Sequence, residues 1–269
     1  MADLSVITVG HDHLSHLKKC IPSVFESIGA HALKYTLIDN VSLDGTFEWV
    51  SRNFPTVKII QNKERMGFAE NVNQGFSEKE SGKYYVLINP DIICSPNVFN
   101  NLIEFMDANP KVGVAGPQLL NSDGSVQPSC RGFSTPLAVL VRGLHLDGVF
   151  KEFEFLKSYL QRDLSRNQSS EVDWVTGAFM IIRRQAIEDI GLMDQERYFL
   201  YSEDQDLCCR MWRGGWKVYY VPSAIATHEH LREGVKKPWS KAARYQWMST
   251  FRMFKKFNWN LSRHTSDAE

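Results

Sequence analysis

Tyr84-Tyr85-Val86-Leu87-Ile88-Asn89-Pro90-Asp91 is an apolar run that ends abruptly in polar residues and a proline. Such a run reads as a buried strand, and Pro90 stiffens the turn that closes it. Strand and helix patterns alternate outward from this segment toward the N-terminus. Leu4–Val9 reads as a strand and Ser15–Ile28 as a helix; Tyr35–Asp39 and Gly45–Asn53 repeat the pair, and Val57–Gln61 and Gly67–Ser77 repeat it again. Lys83–Asn89 is the fourth strand, Pro96–Asn109 is helical with Pro96 suited to its first turn, and Val112–Pro117 closes this half. Regular alternation predicts an α/β chain with a mainly parallel sheet covered by helices on both faces. Ligands of such sheets bind beyond the carboxyl ends of the strands, which singles out Asp39 and the Asn89–Asp91 turn.

The stretch from Asn121 to Ser170 has weaker periodicity, with a charged helical part around Phe150–Leu164, and reads as an excursion on the acceptor side. A second structured block follows: strand Val175–Arg183, helix Arg184–Ile190, helix Glu203–Trp212, and strands at Val218–Val221 and Ala224–Thr227. The 269 residues are 43% hydrophobic and 23% charged, as in an ordinary globular protein. Lys plus Arg (31) equals Asp plus Glu (31), so no global field argues for nucleic acid as a partner. Cys20, Cys94, Cys130, Cys208 and Cys209 have neither zinc-knuckle nor redox spacing and read as reduced thiols of a cytoplasmic protein. The sequons at Asn40, Asn167 and Asn260 carry no weight in that compartment. No basic leader precedes Leu4, and no apolar stretch approaches the roughly 20 residues that span a bilayer, so any membrane contact is expected to be peripheral.

Four places carry chemistry. Asp39, ending an apolar strand, opens the polar loop Asp39-Asn40-Val41-Ser42-Leu43-Asp44-Gly45. Its carboxylate can accept from the imide N–H of uracil or thymine, and the same residue types also cap turns; both readings stand. Asp91 suits a hard divalent cation that bridges phosphates, with neutral Asn89 a weaker ligand or a hydrogen-bond donor. Ser202-Glu203-Asp204-Gln205-Asp206 opens a helix, where acids also suit the dipole. Asp206 and Arg210 are four apart and pair, leaving Glu203 or, preferably, Asp204 as general base on an acceptor hydroxyl. His228, late in the chain, can complete a metal shell or be structural.

Together these segments resemble the inverting family 2 glycosyltransferases of the GT-A fold, most nearly their bacterial rhamnosyltransferase-like branch. The resemblance runs from Leu4 to about His230, with the pieces in the family's order: Asp39–Gly45, Gly67–Gly75, Asn89–Asp91, Val172–Ala178, Tyr201–Arg210, Gly215-Trp216, and Pro222 followed by His228. It implies a GT-A, Rossmann-like mixed sheet with helices on both faces and a C-terminal helical tail. It also implies a glycosyltransferase domain at 1–232, with a nucleotide-binding half at 1–118 and an acceptor-side half at 119–232, and a basic aromatic tail at 233–269. Asp39 would bind the pyrimidine, with Val9, Asn73 and Asn89 near the donor. Asp91 and His228 would hold Mg²⁺ or Mn²⁺ on the diphosphate, Asp204 or Glu203 would serve as base, and Trp174, Thr176 and Gly177 would line the sugar or acceptor pocket. Two departures stand out: Asn89 occupies the first place of the usual Asp-x-Asp, and Arg65-Met66 replaces an Asn before Gly67, so that Arg65 is offered to a phosphate.

The implied donor is a dTDP- or UDP-linked sugar, with dTDP-rhamnose the first choice. The implied acceptor is a glycan, free or carried on a polyprenyl diphosphate, at the cytoplasmic face of the inner membrane. A catalytically silent nucleotide-sugar-binding module is the alternative from another class. A nucleotidyltransferase or a dinucleotide oxidoreductase is disfavoured, because Thr8–His13 holds neither a basic glycine-rich loop nor G-x-G-x-x-G. From Trp239 onward the tail reads as a helix with Lys241, Arg244, Arg252 and Lys255 on one face and Ala243, Trp247, Phe251 and Phe254 on another, with Lys236, Lys237 and Lys256 adding charge. Such a helix suits an anionic membrane interface or packs on the domain with a solvated basic side.

Overall fold

The computed structural model describes residues 3–78, 82–143, 146, 148, 150, 152–161, 164–229 and 240–264. Its strands are β1 (Leu4–Gly10), β2 (Leu33–Asp39), β3 (Lys58–Gln61), β4 (Tyr84–Ile88), β5 (Ile92–Cys94), β6 (Val112–Leu120), β7 (Val126–Gln127), β8 (Cys130–Arg131), β9 (Ser170–Glu171), β10 (Trp174–Val175), β11 (Phe179–Arg183) and β12 (Lys217–His228). Its helices are α1 (Leu14–Ser27), α2 (Thr46–Asn53), α3 (Phe68–Phe76), α4 (Val98–Ala108), α5 (Pro136–Gly143), α6 (Glu154–Leu160), α7 (Arg184–Ile190), α8 (Glu203–Arg213) and α9 (Lys241–Lys256). The main sheet runs in the order β3-β2-β1-β4-β11-β6-β12-β5. The pairs β3–β2, β2–β1, β1–β4 and β6–β12 are parallel, whereas β11 is antiparallel to both of its neighbours.

Strand alternation builds two cores, one on each face. Val6, Val86, Ile88 and Ile181 pack with Leu17, Ile21 and Val24 of α1 and with Phe99, Leu102 and Met106 of α4. Their neighbours Ile7, Leu87, Met180 and Ile182 point the other way, onto Ala69 and Val72 of α3, Ala186 of α7, and Leu207 and Met211 of α8. Close packing of α3 on β1 needs Gly75, where a Cβ would lie 2.7 Å from the Ile7 side chain.

Five expectations are corrected. Pro96 precedes α4 rather than sitting in its first turn, because Asn97 takes the left-handed conformation (φ 62°) at the cap. The expected strand Val175–Arg183 is broken into β10 and β11, and the two late strands are one, β12, with an irregularity between Val221 and Ile225. The expected helix at 150–164 is reduced to α6 within its described residues. The apolar face expected of the tail divides: Ala243 and Phe254 are buried, whereas Trp247 and Phe251 are exposed. The helix is seated instead by Met253, which joins Phe133, Tyr198, Cys209 and Phe257 in a small cluster. Lys236, Lys237, Trp239, His230 and the boundary at 232 lie outside the described residues.

Candidate active site

Gly10 pairs with Asp39 across β1 and β2, so the loops that follow both strands emerge side by side. They are then stitched together. Asp12 accepts from the Leu43 N–H at 2.7 Å, Ser42 accepts from the Asp12 N–H, and Asp44 accepts from the N–H groups of Leu14 and Thr46. Burial pushes the Asp44 carboxyl up, but its bonds from Thr46 and Leu14 outweigh this and hold it below the usual range. Val41 keeps φ 65°, an unusual conformation for a β-branched residue that the stitched loop sustains. Asp39 itself is buried. Its Oδ1 accepts from the Ser42 N–H at 3.0 Å and Gln61 reaches Oδ2 at 3.4 Å, so one oxygen caps the turn while the other makes a longer bond.

A set of amides extends this loop to the next one. Asn40 donates to the Met66 carbonyl and accepts from the Met66 N–H, at 3.0 and 2.9 Å, as a backbone partner would. Asn62 donates to both Asn40 and Asn71, and Asn71 donates to the Gly67 carbonyl. Exposed Arg65 is thereby carried on a fixed loop beside Asp39, and half-buried Val9 lies one residue before the end of β1.

Two strands across from Asp39, β4 delivers Asn89-Pro90-Asp91. At sheet spacing this is about 10 Å away. The short strand β5 follows at once and pairs Ile92 with His228 of β12, which sets the histidine against Asp91. Nε2 of His228 lies 3.3 Å from Oδ2 of Asp91, and both residues are buried. Nδ1 of His228 meets Oε1 of Gln127 at 2.6 Å; an amide oxygen only accepts, so Nδ1 carries a hydrogen, and in the neutral ring Nε2 turns a lone pair toward the carboxylate. A proton or a cation between the two resolves that opposition. The pair therefore fits a divalent ion that arrives with phosphate oxygens, and no group of three or more His, Cys, Asp or Glu forms a complete cage among the described residues.

The third acid is tied to the same place. The Asn89 N–H donates to the Ala178 carbonyl, and the next residue back, Gly177, donates its N–H to Oδ2 of Asp204 at 3.0 Å. Oδ1 of Asp204 accepts from the Gln205 N–H at 2.8 Å, so both oxygens are oriented by backbone. The helix start is approached through two left-handed residues, Tyr201 (φ 69°) and Ser202 (φ 70°). It also touches the donor side: the Phe68 N–H donates to the Phe199 carbonyl, and a Cβ on Gly67 would lie 2.9 Å from that oxygen. Burial, then the charge of Asp204, pushes the Glu203 carboxyl up to about 8; its Oε2 is buried with no hydrogen-bond partner. Asp204 is raised too, by burial, with the Gly177 and Gln205 bonds opposing. Asp206 pairs with Arg210 at 2.7 Å as expected, and also accepts from Tyr198 and meets Lys256 of α9 at 2.6 Å.

Asn73 bonds the segment after α7. Its amide donates to the Met193 carbonyl and to Gln195 and accepts from the Met193 N–H, so it braces the 193–195 segment. Trp174 donates to the Gly132 carbonyl and the Thr176 N–H to that of Ser129, which hangs the pocket-lining segment on the excursion. Sequence reasoning missed Gln127, which orients His228, and the amides of Asn40, Asn62 and Asn71. The apolar triplet Ile92–Cys94 was the available signal for β5.

A family model described as "Glycosyltransferase like family 2" matches residues 17–247. An N-acetylglucosaminyl-diphospho-decaprenol L-rhamnosyltransferase of Mycobacterium tuberculosis is 28% identical over 89% of this chain and 80% of its own. Rhamnosyltransferase WbbL of Escherichia coli is 26% identical over 92% of this chain and 90% of its own. Among solved structures, GalNAc-T7 with UDP, GalNAc and Mn²⁺ superposes with a TM-score of 0.69 at 16% identity, covering 95% of this chain but only 48% of that one. The mannosyltransferase PcManGT of Pyrobaculum calidifontis gives 0.58 at 15% identity, over 87% of this chain and 60% of that one. The fold is therefore the mixed, mainly parallel GT-A arrangement, and the chain belongs to the family 2 glycosyltransferases.

Proposed function

We propose that this protein is an inverting, divalent-cation-dependent transferase that moves L-rhamnose from dTDP-rhamnose to a saccharide on a polyprenyl diphosphate. The observation that carries the reading is the connection of Asn89 to Ala178 and of Gly177 to Asp204, which sets an oriented carboxylate beside the Asp91–His228 pair. The names of the two rhamnosyltransferase relatives support the sugar, and that of the mycobacterial one supports the acceptor. Asp39 would receive the pyrimidine through Oδ2, and Arg65 and Asn89 would face the phosphates and sugar. Asp91 and His228 would hold the cation, which when bound neutralises charge on the leaving diphosphate.

Asp204 takes the proton of the acceptor hydroxyl. That oxygen forms its bond to the anomeric carbon on the face opposite the diphosphate, whose C–O bond breaks, and the configuration inverts. Glu203 is less suited to this task, because it is enclosed and burial and the charge of Asp204 push its carboxyl up. A thermal-shift panel of nucleotide sugars with and without Mn²⁺, followed by transfer to a lipid-linked acceptor, tests the assignment. Stabilisation by dTDP-rhamnose that needs the cation is expected; indifference to every nucleotide sugar would sink it.

Contact with a membrane surface is part of the same proposal. No helix among the described residues is long and apolar enough to cross a membrane. The outward side of α9 presents Trp247, Met248 and Phe251 among Lys241, Arg244, Arg252 and Lys255, with no acid in the helix. Exposed Leu137 and Leu140 of α5 are close by, since Trp247 lies against Gly143. Apolar and basic groups on one face suit an anionic interface. Flotation with anionic vesicles should be lost in Met248→Ser with Phe251→Ser; unchanged flotation of that variant removes the contact.

A further inference from the structure

Helix α1 places Leu17, Ile21 and Val24 in the core against the sheet. A second stripe along it carries polar atoms. His16, Lys19, Cys20 and Ser23 recur at helical spacing and so share one side of the helix. All four meet the unit that holds the Asp91–His228 pair. Ser23 Oγ accepts from the Cys94 N–H of β5 at 3.0 Å, and the Cys20 thiol donates to the Asn89 carbonyl at 3.6 Å. Lys19 donates to both carboxylate oxygens of Glu229, at 2.7 and 3.1 Å, and Nδ1 of His16 lies 3.3 Å from Oε2 of the same group. Lys19 and Glu229 are 210 residues apart in the chain, so this contact is made by the fold and not by any local rule of helix or turn.

Glu229 is where that contact reaches the proposed cation site. Its backbone follows His228 directly, and its N–H donates to the Asp91 carbonyl at 2.9 Å, one step beyond the Ile92–His228 pair of the β5–β12 ladder. One residue is therefore joined to both proposed ligands, covalently to one and by a hydrogen bond to the other. Its side chain is 22% exposed and gives both oxygens to Lys19, which sets it apart from a loose surface pair. The same helix begins at the stitched loops, where the Leu14 N–H donates to Asp44. It thus spans from the loop that follows Asp39 to the turn that carries Asp91. We infer that α1 is the positioning element of the cation site: Lys19, acting through Glu229, holds Asp91 and His228 together and fixes them relative to the Asp39 loop. Lys19 and Glu229 are positioning residues, since they act through the two ligands. The inference rests on the proposed donor site for the identity of the ligand.

The test measures dTDP binding by calorimetry in EDTA and across a Mn²⁺ series. Wild-type affinity should rise with Mn²⁺. Lys19→Met and Glu229→Gln should each need about tenfold more Mn²⁺ for the same rise, the loss expected when a group that orients a ligand is removed. Their dTDP affinity in EDTA should match wild type, and Lys19→Arg should recover most of the loss. Lys18→Met, one residue along and over the Trp49 ring, should behave as wild type. The lysine variant separates positioning from charge. Deleting a nearby positive group would by charge alone strengthen the binding of a cation, so a weaker response to Mn²⁺ has no electrostatic explanation. Lys19→Met that needs no more Mn²⁺ than wild type overturns the inference. An equal loss of dTDP affinity in EDTA also overturns it, because the fold as a whole would have loosened. Wild-type binding that ignores Mn²⁺ removes the proposed cation site and this inference with it; wild-type dependence with unchanged variants removes this inference alone.

Discussion

The loops after β1, β2 and β3 and the excursion between β6 and β10 solve opposite problems. In the first region polar side chains stitch the loops together: Asp12, Ser42 and Asp44 close the backbone of two loops, and Asn40 copies a strand partner for Met66. In the second, α5 and α6 form a small apolar cluster of their own from Ala138, Val141, Leu156 and Tyr159, and Arg142 and Arg166 beside it bond a phenol, a thiol and a carbonyl. A region that satisfies itself is pre-organised for a ligand of fixed shape, which in the proposed function is the nucleotide. Asp204 lies on the seam, bonded to Gly177 on one side and neighboured by Phe68 on the other.

That contrast breaks first at the seam. Asp204→Asn should lower transfer by about 10²–10⁴-fold while nucleotide affinity stays within about twofold, read by single-turnover kinetics beside calorimetry. A parallel loss of nucleotide binding would move Asp204 into the donor region. Next, Gln127→Ala should weaken the divalent-cation requirement of nucleotide binding by roughly 10–100-fold, because His228 loses the group that fixes its tautomer. An unchanged cation titration would detach His228 from the metal. Asn40→Ala should cost about 1–3 kcal/mol in urea unfolding, since the Met66 backbone and Asn62 lose a buried partner. A cost no larger than that of a surface substitution would show the donor loops to be less interlocked than their contacts imply.

The smallest effect concerns Glu203. Its folded-state pKa of about 8 lies above the unfolded value near 4.5, so the native state keeps a proton that the unfolded chain has already released. Its contribution is fully present below pH 4.5 and is lost as pH rises toward 8. Wild-type melting temperature should therefore fall by a few degrees relative to Glu203→Gln between roughly pH 5 and pH 8. Parallel curves would place the Glu203 carboxyl in water.

What the sequence revealed followed the same division. Short, mostly apolar runs made β1, β2 and β4 readable, and Asp39 and Asp91 fell at strand ends because a parallel sheet puts its loops there. The Asp206–Arg210 pair was legible because a helix brings residues four apart together. Contacts between residues distant in the chain were not. Asn73 meets Met193, His228 meets Gln127, and Asn40 meets Met66, none of them marked by local periodicity. The strand expected at Val175–Arg183 failed for a related reason: Thr176–Ala178 leaves the ladder to bond Ser129, Asp204 and Asn89, and nothing in its composition announces such a detour. Tail amphipathicity was visible, but which apolar residues face inward depended on Tyr198 and Phe133, far upstream.

Lys256 ends α9 with its ammonium 2.6 Å from Asp206 and 2.8 Å from Asp194, beneath the helix that begins with Glu203 and Asp204. Peeling the C-terminal helix away would strand a fully enclosed carboxylate with Arg210 as its only remaining cation among the described residues, so this appendage is no detachable tether. Whatever α9 rests upon inherits a fixed tilt of the whole catalytic body. A two-dimensional substrate would then be met at one angle, set by an ion pair, and not sampled by a swinging arm.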